Sequence, residues 1–242
     1  MMKILFLPGL LCTSEIFSYQ MARLPQGFEA LPVTLANRKS ISAIAEEILA
    51  DLREPVILCG LSMGGIVAME IVAQRADLVA GMILLDTNAL DEGPVVSQNR
   101  NRLVAISESE GPGLMSLKHL MRVLVHQTRE QDKSYIDRVY DMAEEVGHEC
   151  FISHAEALAS RRDYSSVLQR FGRPVKIIYG DSDMLTPEPR QRHLVSLLAM
   201  NSVTVIPECG HLSSLESPVE VSEVVNLWLT SHFKEYLDVE EE

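Results

Sequence analysis

The chain alternates short runs of apolar residues with longer segments whose apolar residues return every three or four positions. Short runs bounded by Gly or Pro predict strands, and the longer period predicts helices that pack by one face. On this basis Met2 to Leu7 is a strand that ends at Pro8-Gly9, and Ala30 to Leu35 is a weaker strand candidate. Ser40 offers a cap to a helix carrying Ile41, Ile44, Ile48, Leu49 and Leu52. Val56 to Cys59 reads as a buried strand introduced by Pro55 and ended by Gly60. Ile66 to Ala73 is apolar nearly all round, the mark of a helix enclosed on every side. Val79 to Leu85 is another buried strand, ending at Asp86.

The alternation resumes near the C-terminus. Val175 to Tyr179 predicts a strand, Glu188 to Met200 a helix and Val203 to Ile206 a strand. Pro218 then opens a last helix with Val221, Val224, Val225, Trp228 and Leu229 on its apolar side. Strands that alternate with helices and are apolar on both faces predict an α/β fold, a mostly parallel central sheet covered by helices on both faces.

The middle of the chain breaks the pattern. Between about Asn88 and Ser165 no segment reads as a strand. Leu114, Leu117, Met121, Leu124 and Val125 follow helical spacing, and a second helical stretch runs from about Tyr135 to Ala159. Residues 1–87 and 166–242 are therefore expected to form the core, and residues 88–165 a helical insertion over the sheet. No internal repeat is visible.

Composition narrows the partners. The 242 residues are 47% hydrophobic, ample for a buried core, and carry a formal net charge of -13. Nucleic acid and anionic membrane surfaces repel such a chain, which leaves a small-molecule substrate as the expected partner and the oligomeric state open. Part of the charge sits in an acidic end, Asp238 and Glu240 to Glu242, that reads as a solvated tail. The four cysteines, Cys12, Cys59, Cys150 and Cys209, are scattered without a CxxC pair, so neither a disulfide framework nor a zinc site is expected. Lys3 followed by Ile4-Leu5-Phe6-Leu7 imitates the start of a signal peptide, but the run is short and Pro8-Gly9 interrupts it. A cytoplasmic location is the expectation, with no metal and no other cofactor, because no HExxH or comparable spacing is present.

The candidate chemistry starts at Gly60-Leu61-Ser62-Met63-Gly64-Gly65, between a predicted buried strand and a predicted enclosed helix. G-x-S-x-G arises by chance in glycine-rich chains; its placement carries the reading here. A serine on a sharp strand-to-helix turn has its hydroxyl pushed out, glycines relieve collisions on either side, and the helix directs its positive end toward the serine. Such a serine needs a base that titrates near neutrality, which favours histidine. Of seven histidines, His119, His126, His148 and His154 fall in the insertion, with solvated or capping roles expected, and His193 and His232 fall within helices. His211, in Glu208-Cys209-Gly210-His211, directly follows a predicted strand and shares the sheet edge of the Ser62 turn. The carboxylate that would orient its imidazole is Asp183, in Gly180-Asp181-Ser182-Asp183, or else Asp86 at the end of another strand. Asp181 reads as a residue that closes the loop.

These segments resemble the α/β-hydrolase fold superfamily, in the group of small serine hydrolases and esterases with a helical cap. The resemblance rests on Leu7-Pro8-Gly9-Leu10, the Ser62 turn, Gly180-x-x-Asp183-x-x-x-Pro187 and Gly210-His211-x-x-x-x-Glu216-x-Pro218. It implies a triad of Ser62, Asp183 and His211, and an oxyanion hole made by the backbone N–H groups of Met63 and Leu10. The family usually has His-Gly before the second donor, where this chain has Pro8-Gly9. Many relatives also carry a longer segment with an aspartate and glycines where Leu35-Ala36-Asn37-Arg38-Lys39 is short and basic. Serine at the turn excludes haloalkane dehalogenation, which uses an aspartate there. The expected function is cofactor-independent hydrolysis of a carboxylic ester, lactone or thioester of a small, fairly apolar substrate through an acyl-enzyme on Ser62. The same fold supports acyl transfer, C–C hydrolysis, perhydrolysis and slow ligand receptors. Leu114, Met115, Leu117 and Met121 either line the pocket or only pack the insertion onto the core. An anionic substrate would need a local basic patch, near Arg38-Lys39 or Arg161-Arg162.

Overall fold

Six strands, β1 (Met2–Leu7), β2 (Phe28–Pro32), β3 (Val56–Leu61), β4 (Val79–Leu85), β5 (Val175–Gly180) and β6 (Thr204–Ile206), form one sheet in the order β2-β1-β3-β4-β5-β6. Every pairing is parallel. The computed structural model describes residues 1–237, so the acidic end that begins at Asp238 lies outside the described residues. Alternation along the strands divides the core in two. Leu5, Leu7, Val56 and Leu58 face one apolar cluster, and Ile4, Phe6, Ile57, Cys59 and Leu61 face the other. The first cluster is covered by helices Ile41–Asp51, Met63–Arg75, Ser165–Phe171 and Glu188–Leu197, the second chiefly by helix Pro218–His232.

Local signals explain most boundaries. The Ser40 side chain accepts from the Ala43 N–H at 3.2 Å, capping the Ile41–Asp51 helix. The enclosed helix runs from Met63 to Arg75, longer than its apolar run suggests, and is buried from Met63 through Val72. Two strands differ by two residues or more from the sequence pattern, and β5 and β6 by one residue each. The second strand is Phe28–Pro32, shifted toward the N-terminus from the expected Ala30 to Leu35, and its register ends at the Phe6 to Pro32 pair. Leu35 is buried all the same, from a loop that packs it onto the helices. The third strand continues through Gly60 to Leu61, because Gly60 presses on the following helix instead of turning the chain.

Between β4 and β5 the chain is helical. Helix Pro94–Glu110 is followed by the short turns Pro112–Met115, Ser116–Leu120 and Met121–Leu124, then by helices Lys133–Val146 and His148–Ala159. Pro94–Glu110 is not evident in the sequence pattern, since Val95 and Val96 are exposed and no continuous apolar stripe marks it. The single stretch expected over Tyr135 to Ala159 is two helices, separated by Gly147 at φ +75°. Among the described residues no helix is long and apolar enough to cross a membrane.

Candidate active site

In a parallel sheet the loops at the C-terminal strand ends meet in one place, beside the point where strand order reverses. That point lies between β1 and β3, and the loops after β1, β3, β4, β5 and β6 converge there. Ser62 follows β3 with φ 52° and ψ -112°, backbone angles that cost about 1–3 kcal/mol for a residue with a side chain. The turn is held by the Ser62 N–H donating to the Leu85 carbonyl at 2.9 Å and by the Thr87 hydroxyl donating to the Ser62 carbonyl at 2.7 Å. Gly64 explains how the β1 loop reaches the serine. A Cβ at Gly64 would lie 1.9 Å from the Leu7 carbonyl oxygen, so only glycine lets the helix start press against Leu7 and Pro8. Asp86 and Glu208 have positive φ as well (45° and 51°), so irregular backbone gathers at this edge.

The structure brings three of the expected side chains into a chain of hydrogen bonds. Ser62 Oγ lies 2.8 Å from His211 Nε2, and His211 Nδ1 lies 2.9 Å from each carboxylate oxygen of Asp183. His211 and Asp183 are buried, each 3% exposed. The backbone fixes the carboxylate, with the Leu185 and Thr186 N–H groups donating to Asp183 Oδ1 at 2.8 and 2.9 Å. Asp181 closes the neighbouring loop, its Oδ1 accepting from the Cys209 N–H at 3.3 Å.

Asp86, the other carboxylate left open by the sequence, does not touch the imidazole. It is fully buried and braces three loops: Oδ1 accepts from the Gly180 N–H at 3.0 Å, and Oδ2 accepts from the Ser213 N–H at 3.2 Å and from the Ser213 hydroxyl. The electrostatics separate the two acids. Burial, and then the charge on Asp183, push Asp86 up to about 8. Burial also disfavours the charge on Asp183, but His211 and the Thr186 donors outweigh it and hold the carboxyl down at about 2. For His211 burial opposes the imidazolium, yet Asp183, Asp86 and Glu216 together raise it above its ordinary value.

A cavity of about 340 Å³ opens over Ser62 and His211. Leu10 and Met63 line it, and among the described residues neither of their N–H groups donates to a protein acceptor. Leu103, Leu120, Leu124, Val139, Met142 and Phe151 supply apolar wall from the helical segment. The four residues singled out for that wall are elsewhere: Met115 and Met121 are buried in core clusters, Leu117 packs beside them, and Leu114 is 42% exposed.

Two features were missed in the sequence. His154, expected to be solvated or capping, is buried with Nε2 3.1 Å from the Ala36 carbonyl oxygen, where burial lowers its pKa. Glu216 ties the helical segment to the His211 loop, accepting from the His126 N–H at 2.7 Å and the Gly210 N–H at 3.0 Å. Beside it the Leu124 carbonyl accepts from the His211 and Leu212 N–H groups at 2.8 and 3.2 Å. Only the spacing Gly210-His211-x-x-x-x-Glu216 hinted at this seam.

This edge is that of a hydrolase. The model of the alpha/beta hydrolase family matches residues 4–224, and the chain belongs to that family. A pimeloyl-[acyl-carrier protein] methyl ester esterase from Neisseria meningitidis is 22% identical over 223 residues, covering 86% of each chain. A thermophilic esterase from Thermogutta terrifontis, solved with malate bound, superposes with a TM-score of 0.83 at 24% identity, over 96% of this chain and 91% of that one. The enol-lactonase of Burkholderia xenovorans superposes with a TM-score of 0.78 at 18% identity, over 95% and 91%. At these identities the structural likenesses speak for the fold.

Proposed function

We propose that the protein is a serine hydrolase that cleaves a carboxylic ester, lactone or thioester of a small, fairly apolar substrate through an acyl-enzyme on Ser62. The observation that carries this reading is the continuous hydrogen-bonded chain from Ser62 Oγ through His211 to Asp183, opening into a cavity with two unpartnered N–H groups. The esters and lactones named for its relatives support the same bond class.

On this reading Ser62 Oγ attacks the carbonyl carbon while its proton passes to His211 Nε2. The carbonyl oxygen, now negative, takes hydrogen bonds from Met63 and Leu10 N–H, with the positive end of the Met63–Arg75 helix beneath it. His211 returns the proton to the departing alcohol oxygen, leaving the acyl group on Ser62. A water then gives a proton to His211 and attacks the acyl carbon; the bond to Ser62 Oγ breaks as His211 returns that proton to Oγ, which releases the acid and regenerates Ser62. Asp183 keeps the proton of His211 on Nδ1, so that Nε2 stays free to accept. The helices over residues 94–159 act as a cap that limits water and shapes the pocket.

The test is turnover of p-nitrophenyl esters of increasing acyl length by wild type and Ser62→Ala, with intact mass after exposure to a fluorophosphonate. Turnover with a chain-length optimum and one adduct, both lost in Ser62→Ala, is expected. A folded wild-type protein with neither signal defeats the proposal.

A further inference from the structure

The same cavity holds a second organised cluster that ester cleavage as derived above does not use. Arg100, from helix Pro94–Glu110, and Arg161, just beyond helix His148–Ala159, both line its wall. Glu92 lies behind them with its side chain wholly shielded from solvent. Arg100 grips it with Nη2 at 2.7 Å from Oε2 and Nε at 3.3 Å from Oε1, and Arg161 Nη1 lies 2.7 Å from Oε2. Arg161 also donates to the carbonyls of Leu90 at 3.0 Å and Leu158 at 3.1 Å.

Two guanidinium groups thus share one carboxylate, which leaves one positive charge unmatched in a nearly closed wall. The arginine side chains are only 15% and 7% exposed. Among the described residues Arg100 Nη1 and Arg161 Nη2 make no hydrogen bond. A clamp between loop and helix needs one arginine per carboxylate; burying a second, unmatched guanidinium is costly unless an anion meets it. The other basic residues of the segments singled out in the sequence are each taken up by a carboxylate: Arg38 by Glu47 at 2.9 Å, Lys39 by Glu156 at 3.2 Å and Arg162 by Glu70 at 2.9 Å. Arg190 and Asp91 also line the cavity, but both are exposed and of opposite sign, so in a chain of net charge -13 the buried compensation for an anion in the cavity is this pair.

We propose that Arg100 and Arg161 form a subsite for a carboxylate on the substrate, so that the preferred substrate is an ester bearing a free carboxylate remote from the scissile bond, such as a monoester of a small dicarboxylic acid. The proposal rests on the ester-hydrolase reading of Ser62. One unmatched charge suits a monoanion, whereas a phosphate dianion would bring one negative charge too many. Planar guanidinium groups suit the flat carboxylate. Leu103, Leu120 and Phe151 supply apolar wall in the same cavity for the methylenes that join the two ends.

The experiment compares kcat/KM for mono-p-nitrophenyl adipate and p-nitrophenyl hexanoate in wild type, Arg100→Gln, Arg100→Lys and Arg161→Gln. The quantity read is the ratio of the charged to the neutral ester, which partial unfolding leaves unchanged because it lowers both alike. Wild type is expected to favour the charged ester by about tenfold or more, with the preference carried by KM and weakened by salt. Each glutamine variant should lower the ratio by roughly tenfold, and Arg100→Lys should restore part of it. Competition by adipate against the hexanoate ester in wild type gives a readout that needs no variant, and inhibition is expected. A wild-type ratio near one without adipate inhibition, or a ratio that the substitutions do not move, overturns the carboxylate subsite and leaves Ser62-dependent turnover of the neutral ester standing. Loss of Ser62-dependent turnover of both esters in wild type instead removes the hydrolase reading, and this proposal with it.

Discussion

The C-terminal edge of the sheet and the helices above it face the same cavity but are secured in different ways. At the sheet edge each key group is fixed by backbone: Ser62 by Leu85, Asp183 by Leu185 and Thr186, and Asp86 by Gly180 and Ser213. The helical segment offers the cavity side chains instead, Leu103 and Phe151 on one part of the wall, Arg100 and Arg161 on another. Backbone anchoring resists substitution, whereas a side-chain wall is altered by changing one residue. On the proposed reading the groups that break the bond stand on the sheet edge, while much of the wall that would meet the substrate belongs to the helical segment.

The largest effect is expected of Ser62→Ala. It should lower ester turnover by roughly four to six orders of magnitude with an unchanged circular dichroism spectrum. Next is the contrast between the two acids. Asp183→Asn should cost about 10⁴ in kcat by disturbing the His211 tautomer, while Asp86→Asn should cost far less. The reverse order would assign the orienting role to Asp86. Gly64→Ala tests the anchoring itself: the Leu7 carbonyl must move, and a loss of more than about 3 kcal/mol in denaturant unfolding is expected.

The pH dependence is gentler. His211 must be neutral to accept the serine proton, and its pKa is raised, so kcat/KM should fall on acidification with a midpoint above 6.5. Asp183, held at about 2, stays ionised throughout that range. Stability follows with the same sign. Asp86 titrates at about 8 in the folded chain against 3.8 ordinarily, so the native state holds the extra proton in between and loses stability as pH rises across that window. The raised His211 pKa adds stability below 6.5 that is lost as pH climbs through the folded value. Tm should therefore be lower at pH 9 than at pH 6, with a smaller difference in Asp86→Asn. The smallest effect belongs to the outer face of the helical segment, where Val95→Ser, at a side chain 70% exposed, should change stability by no more than about 0.5 kcal/mol.

The same division governs what could be read from the sequence. Parallel strands buried on both faces announce themselves as apolar runs, and β1, β4 and β5 lie where those runs stand. Ser62, Asp183 and His211 were legible because each follows such a run, and a strand end fixes where its loop emerges. The second strand was misplaced because Leu35, apolar and buried, is packed by helices and not by the ladder. Helix Pro94–Glu110 escaped because its outer face carries Val95 and Val96 and blurs the helical period. Arg161 stood out as part of a basic pair, but Arg100 and Glu92 did not, since only the folded chain brings residues 92, 100 and 161 together.

The seam at Leu124, His126 and Glu216 splices the helical segment to the loop that carries His211. Three hydrogen bonds bind the roof of the cavity to the His211 loop along that line, and the Gly210 N–H donates to the same Glu216 from the loop side. Because the Leu124 carbonyl holds the His211 N–H, roof and imidazole share one anchor on this side, and a change at Leu124 reaches the proton-accepting ring through a single hydrogen bond.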